Sequence, residues 1–235
     1  MPYGFSRILS RQIFAAIFVC WSAAVSAQST GLLYDPEPPA DSAYVRVIHA
    51  ARGGAIDIWV DGRSHTLKLG FGDASDFMVL TAGKHTLALH PAGKQLAHLT
   101  TTLDVIRGQA TTLAFTALQA DSKPILFEDK ANSNKLKALL SVYHLAGKVE
   151  GLDVLTMDGN TKVFSSVAYG TSASIQVNPI TIDLMAAKVG DKVPQARTSL
   201  AMSPGGTYSV LLLPGEGGKL LARSLQNKIE RYTGK

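Results

Sequence analysis

The sequence is almost without cysteine: Cys20 is the only one in 235 residues. A single thiol excludes a disulfide scaffold and a cysteine-ligated zinc module. Charge is thin as well, at 17% of residues, and the formal net charge is +5. Aromatic residues make up 7%, with only two tryptophans. There is no P-loop and no Gly-x-Gly-x-x-Gly following a strand, so no phosphate-cradling loop is expected. No Gly-x-Ser-x-Gly nucleophile elbow occurs. No window carries an apolar face of helical period over a useful length. Apolar residues are plentiful, at 46%. That is enough to bury a core and excludes wholesale disorder. The length admits one or two ordinary domains.

The first 27 residues read as an address. Arg7 and Arg11 form a positive start, Ile13 to Val25 is a continuous apolar run, and Val25-Ser26-Ala27 offers small residues for cleavage before Gln28. This is the pattern of a secretory signal peptide. The run is about 13 residues, where a spanning helix needs roughly 20. Cys20 does not read as a lipoprotein site, because Val19 precedes it where a small residue is required. Cleavage removes two arginines and the only thiol, leaving 208 residues at a formal +3. The mature chain is expected to be periplasmic and not membrane-spanning. Its charge is too small for a nucleic-acid partner.

The rest of the chain is organised as short strands. Residues 28–41 are a Pro-rich lead-in carrying Pro36, Pro38 and Pro39. Val45, Val47 and His49 alternate with Tyr44, Arg46 and Ile48, and Ile56, Ile58 and Val60 alternate with Asp57 and Trp59. Asp61-Gly62 is a hairpin signal. Residues 129–137 are polar, lack alternation and read as a linker. Then the pattern returns. Val142-Tyr143-His144 echoes Val47-Ile48-His49, Leu152-Asp153-Val154 echoes Ile56-Asp57-Ile58, and Asp158-Gly159 echoes Asp61-Gly62. Tyr169-Gly170 echoes Phe71-Gly72, Thr207 to Leu213 echoes Thr111 to Ala117, and Lys219 to Ser224 echoes Lys123 to Glu128. Six echoes in one order, at offsets of 95–98, indicate an internal duplication. The expected fold is all-β: two tandem β-sandwich domains, 42–128 and 138–226, joined by the polar linker and followed by a C-terminal tail, 227–235.

Catalytic and metal chemistry are not visible. Gly72-Asp73-Ala74-Ser75 resembles the Gly-Asp-Ser block of SGNH hydrolases, but Ala74 stands at the nucleophile's place and no Asp-x-x-His occurs. His85 and His90 are five apart on one strand and should face opposite sides. No catalytic residues, metal ligands or cofactors are assigned. His49 and His144 share a repeat position and read as core or strand-end histidines, with a ligand or proton-switch role as the alternative. Lys130, Lys135 and Lys137 read as a solvated linker rather than a binding patch. Trp59 sits between inward-facing Ile58 and Val60, so its ring is expected to be partly exposed. Arg46 and Trp59 are the candidate partner-binding residues on this face, with strand solubility and packing as their alternatives.

One resemblance goes further. Gly31-Leu32-Leu33-Tyr34-Asp35-Pro36, then Ser42-Ala43-Tyr44-Val45-Arg46-Val47, resembles the start of the mature AlgF family. Ser75-Asp76-Phe77 and Asn178-Pro179-Ile180-Thr181-Ile182-Asp183-Leu184 are similar to it too. The resemblance spans about Leu32 to Ser224. His49-Ala50 departs from the family's pattern, as do the loops around 90–98 and 187–194. Residues 45–62 also resemble a widespread extracellular β-sandwich repeat. The family resemblance implies a non-catalytic, periplasmic accessory role in O-acetylation of an exopolysaccharide, alginate or in related systems cellulose. It implies a periplasmic SGNH-type acetyltransferase and a membrane acyl-transfer protein as partners, with the polysaccharide a further candidate. The competing reading is a secreted carbohydrate-binding or cell-surface β-sandwich module using Trp59, Tyr34 and Tyr169.

Overall fold

A computed structural model describes residues 39–232. The expected signal peptide, and the Pro-rich segment up to residue 38, lie outside the described residues. Sixteen strands follow in chain order. The first eight are β1 (Ser42–His49), β2 (Ile56–Val60), β3 (Arg63–Leu69), β4 (Met78–Thr81), β5 (Gly83–Pro91), β6 (Leu99–Val105), β7 (Ala110–Phe115) and β8 (Ile125–Asp129). The second eight are β9 (Ala138–His144), β10 (Gly151–Thr156), β11 (Lys162–Ala168), β12 (Ser172–Val177), β13 (Thr181–Lys188), β14 (Ala196–Ala201), β15 (Thr207–Pro214) and β16 (Leu220–Gln226).

The halves have one topology. The first pairs a β4-β1-β7-β8 sheet with a β3-β2-β5-β6 sheet, and the second pairs β12-β9-β15-β16 with β11-β10-β13-β14. Adding eight to each strand number converts one half into the other. Even the exceptional parallel pairs, β1 with β7 and β9 with β15, correspond. The architecture is therefore two β-sandwiches. Register shifts the echoes slightly. Arg46 lies opposite Thr112 and Ser141 opposite Ser209, so β7 maps onto β15 at an offset of 97. Phe127 and Leu225, opposite those residues on the next strands, map at 98.

The repeat is also chemical. Asp57 accepts backbone N–H bonds from Lys68 (2.7 Å) and Gly93 (2.8 Å), and Asp153 accepts them from Ser166 (2.7 Å) and Gly190 (3.0 Å). Both strands carry a register shift at the aspartate, and Lys68 and Ser166 both have positive φ. A bulge leaves an amide without its strand partner; in each half the buried aspartate satisfies it and also accepts from a glycine in the turn after β5 or β13. Burial opposes ionisation of these carboxyls. The backbone donors, with Lys162 at 2.6 Å from Asp153, outweigh it and hold both pKa values below the usual range.

Each sandwich has its own core. Val45, Val47, Ile56, Ile58, Leu89 and Leu113 belong to the first, and Leu140, Val142, Leu152, Val154, Val210 and Leu212 to the second. A third cluster joins them: Ile48, Ala114, Phe127, Tyr143, Leu211 and Leu213. The outer faces of the β4-β1-β7-β8 and β12-β9-β15-β16 sheets thus pack on each other. This explains why β9 is buried along its whole length, with no exposed alternate positions. Strands covered on both faces read as continuous apolar runs, and Val210-Leu211-Leu212-Leu213 is one. Both sandwiches lie within a single compact unit. Gly72 needs its positive φ and its missing side chain here, since a Cβ would sit 3.1 Å from Leu213 of the other half.

The expected C-terminal tail behaves differently from a tail. Residues 227–230 cross to the first sandwich, where Phe77 N–H donates to Lys228 O and Glu230 N–H to Phe77 O, both at 2.8 Å. The segment lacks apolar alternation, but backbone pairing does not require it.

Candidate functional site

The contact between the halves is built around Arg46. In β1 the odd-numbered Val45 and Val47 enter the first core, so period-two alternation aims Arg46 and Ile48 at the opposite sheet. The guanidinium donates once within its own sheet and otherwise across the interface. Nε donates to Thr112 Oγ1 (2.7 Å) and Nη1 to Asn227 Oδ1 (2.7 Å). Nη2 donates to Tyr143 Oη (2.8 Å) and Ser209 Oγ (3.1 Å). Asp129, at the end of β8, supplies the counter-charge at 3.9 Å. Its two carboxylate oxygens accept hydrogen bonds from Tyr143 and Thr112. Phe77 covers the guanidinium at 4.5 Å. A buried charge is tolerated only when paired and hydrogen-bonded, and Arg46 meets both conditions. Burial pushes the Tyr143 phenol up to about 12.

This corrects the sequence reading of Arg46. It was expected on an exposed, partner-binding face, and it is 1% exposed. Alternation in β1 does aim Arg46 away from the first core, but the face opposite that core meets the second sandwich's sheet rather than solvent.

Beside this cluster lies a cleft of about 520 Å³. Its floor includes Tyr143 and Asp129, its walls Tyr44, Phe77 and Asn227, and Lys130, Lys135 and Lys228 also line it. The strand-free segment 130–137 and the crossing segment 227–230 thus border a site between the halves. Lys137 points elsewhere, donating to Asn178 Oδ1 at 2.6 Å.

Other candidates are placed as follows. Trp59 is half-buried, with its ring 5.3 Å from that of His90, and its indole N–H has no partner. It is on the outer sheet of the first half and does not approach Arg46's network. Tyr169 packs edge-on against His144 in the second half, and Tyr34 lies outside the described residues. Ser75 Oγ accepts from Val47 N–H (3.0 Å) and donates to Asp76 O (2.9 Å), a structural role. His49 Nε2 hydrogen-bonds Gly54 O at 3.0 Å, and His144 Nδ1 accepts from Ala146 N–H at 3.2 Å. Burial lowers both pKa values. Among the described residues no group of three His, Cys, Asp or Glu side chains could hold a metal ion, and no helix is long and apolar enough to cross a membrane.

Comparison with known proteins decides the family. The sequence model described as "Alginate O-acetyl transferase AlgF" matches residues 16–208. The chain belongs to the AlgF family. It is similar to the alginate biosynthesis protein AlgF of Pseudomonas aeruginosa, 32% identical over 203 residues, covering 84% of this chain and 85% of that protein. The AlgF of Pseudomonas syringae pv. tomato is 27% identical over 188 residues, covering 80% and 78%. Solved structures of the C-terminal domain of P. aeruginosa AlgF match 40% of this chain and all of that one, at 27% identity and a TM-score of 0.34. In this AlgF-family chain the matched span ends at residue 208, so Asn227 and Lys228 of the cleft lie beyond it.

Sequence reasoning missed Thr112, Asp129, Tyr143, Ser209 and Asn227. They come from five separate segments, although Thr112 and Ser209, and Asp129 and Asn227, are equivalent positions of the two repeats. The available signal was the uninterrupted apolar character of β9 and β15, which implies cover on both faces. It predicts a second interface without identifying its polar members.

Proposed function

We propose that this protein is a non-catalytic accessory protein for O-acetylation of an exopolysaccharide, with alginate the first candidate. It works in the periplasm beside a periplasmic SGNH-type acetyltransferase and a membrane acyl-transfer protein, and it acts by binding them. The observation that carries this reading is family membership over most of the chain, with relatives named for alginate biosynthesis. The use of the buried hydroxyls supports the non-catalytic part. Ser75 ties a turn to β1, Ser209 and Thr112 serve Arg46, and Ser141 bonds Ser174. A nucleophilic hydroxyl needs a free base within hydrogen-bond reach; Ser75, Ser141 and Ser209 bond no described carboxylate or imidazole, and the carboxylate that Thr112 meets, Asp129, is paired with the buried Arg46.

The experiment is deletion of the gene followed by assay of polymer yield and ester-linked acetyl. Loss of acetyl at normal polymer yield is expected. Unchanged acetylation at normal yield would remove the reading. Direct binding of the purified chain to the acetyltransferase, measured by calorimetry, tests the adaptor part.

A further inference from the structure

We infer that the cleft between the two sandwiches is the docking site for an acidic, aliphatic-bearing segment of a protein partner. The inference rests on the adaptor reading and says where on the molecule that binding occurs. Lys130, Lys135 and Lys228 line the cleft, are exposed, and make no ion pair with any described residue. The negative charge beside them is already used, because Asp129 is held by Arg46, Tyr143 and Thr112. The site therefore presents unbalanced positive charge.

Its apolar surface is aliphatic. Ile229, which lines the cleft, is 60% exposed, and Leu136, which follows Lys135 in the chain, is 79% exposed. Ile229 and Leu136 give the lysine-lined cleft an aliphatic edge. Of the three aromatic rings lining the cleft among the described residues, Tyr143 and Phe77 offer no sugar-stacking face, and Tyr44 is half-buried. Tyr143 is 1% and Phe77 8% exposed, and the Arg46 guanidinium lies over Phe77. Stacking on a sugar needs an open ring face. Lysines with exposed aliphatics instead suit carboxylates interleaved with Leu, Ile or Val, as on a protein segment. The site is also rigid. Segment 130–137 is tied to the turn before β15 by Asn132 Nδ2 donating to Gly206 O (3.3 Å) and Gly205 N–H donating to Lys137 O (3.0 Å), and segment 227–230 by its pairing with Phe77. A preformed site loses less ordering entropy on binding.

The test uses the full mature chain and the purified periplasmic acetyltransferase of its own system as probe. Affinity is measured for the wild type, for Lys130→Glu/Lys135→Glu/Lys228→Glu, and for the matching triple Arg variant. Exposed lysines without ion pairs should leave the melting temperature unchanged. The Glu triple is expected to bind roughly tenfold more weakly, as three screened surface pairs are lost and reversed. The Arg triple should bind like the wild type, with affinity falling as salt rises. Equal binding by the wild type and the Glu triple would overturn the docking site and leave the adaptor reading standing. No binding by the wild type would overturn both. Release of the bound acetyltransferase by a uronate oligosaccharide, lost in the Glu triple, would overturn the inference in favour of a polysaccharide occupant.

Discussion

Asp57 and Asp153 occupy one position in two halves of the same chain, and each carboxylate accepts one backbone N–H from a strand bulge and one from a turn glycine. A duplicated sequence has kept not only strands and turns but the particular acid that makes its bulge affordable. Removing either acid leaves two amides without acceptors. Asp57→Ala and Asp153→Ala should each cost about 3 kcal/mol, since hydrogen bonds to charged groups are worth about 1.5–3 kcal/mol. Asp153→Ala should cost more, because it also abandons Lys162. Urea denaturation of the two variants measures the difference, and equal small losses would contradict the assignment.

Arg46, charge-paired with Asp129 within its own half, holds the two sandwiches together through hydrogen bonds to Tyr143, Ser209 and Asn227. Arg46→Leu should destabilise the protein by about 3–5 kcal/mol, the cost of removing one partner of a buried pair. The variant leaves Asp129 without its counter-charge and removes the donor to the hydroxyl oxygens of Tyr143 and Ser209. Arg46→Leu/Asp129→Leu should recover part of that loss. If Arg46→Leu alone is neutral, the network contributes nothing to stability.

Acid should destabilise the fold through His49 and His144. Burial lowers both pKa values from the ordinary 6.5. The unfolded chain then binds protons before the folded one does. Stability is therefore complete above about pH 6.5 and falls as pH drops toward the lowered folded values. The slope is at most about 1.4 kcal/mol per pH unit for each histidine. Unfolding free energies at pH 7.5 and 5 should show this loss, and His49→Gln/His144→Gln should flatten it.

Alkali should act through Tyr143. Its phenol is raised from 10.0 to about 12, with burial the largest cause. The folded state keeps this proton where the unfolded state has lost it. Tyr143 thus contributes stability that is complete below pH 10 and lost as pH rises through about 12. Absorbance at the phenolate band should show one late-titrating tyrosine, missing in Tyr143→Phe.

The sequence by itself determined the class of fold and its repetition. Period-two alternation in β1, β2 and β5, punctuated by turns such as Asp61-Gly62, requires half-buried strands, and the ordered echoes require a second copy. These are local signals, carried by neighbours along the chain. The resemblance to the AlgF family was legible in the same way, from strand and turn patterns such as Ser42 to Val47. Only the tertiary structure decided what the outer faces meet. A strand's alternation says which residues point away from its own core, but not whether water or another sheet lies there. Arg46 and Ile48 point away from the first core and are buried by β9 and β15. Asp129 and Asn227, 98 residues apart, become neighbours around one guanidinium only when the two sandwiches close on each other. The repeat spacing makes the two positions equivalent but does not bring them together, because their meeting depends on shape complementarity between two finished surfaces.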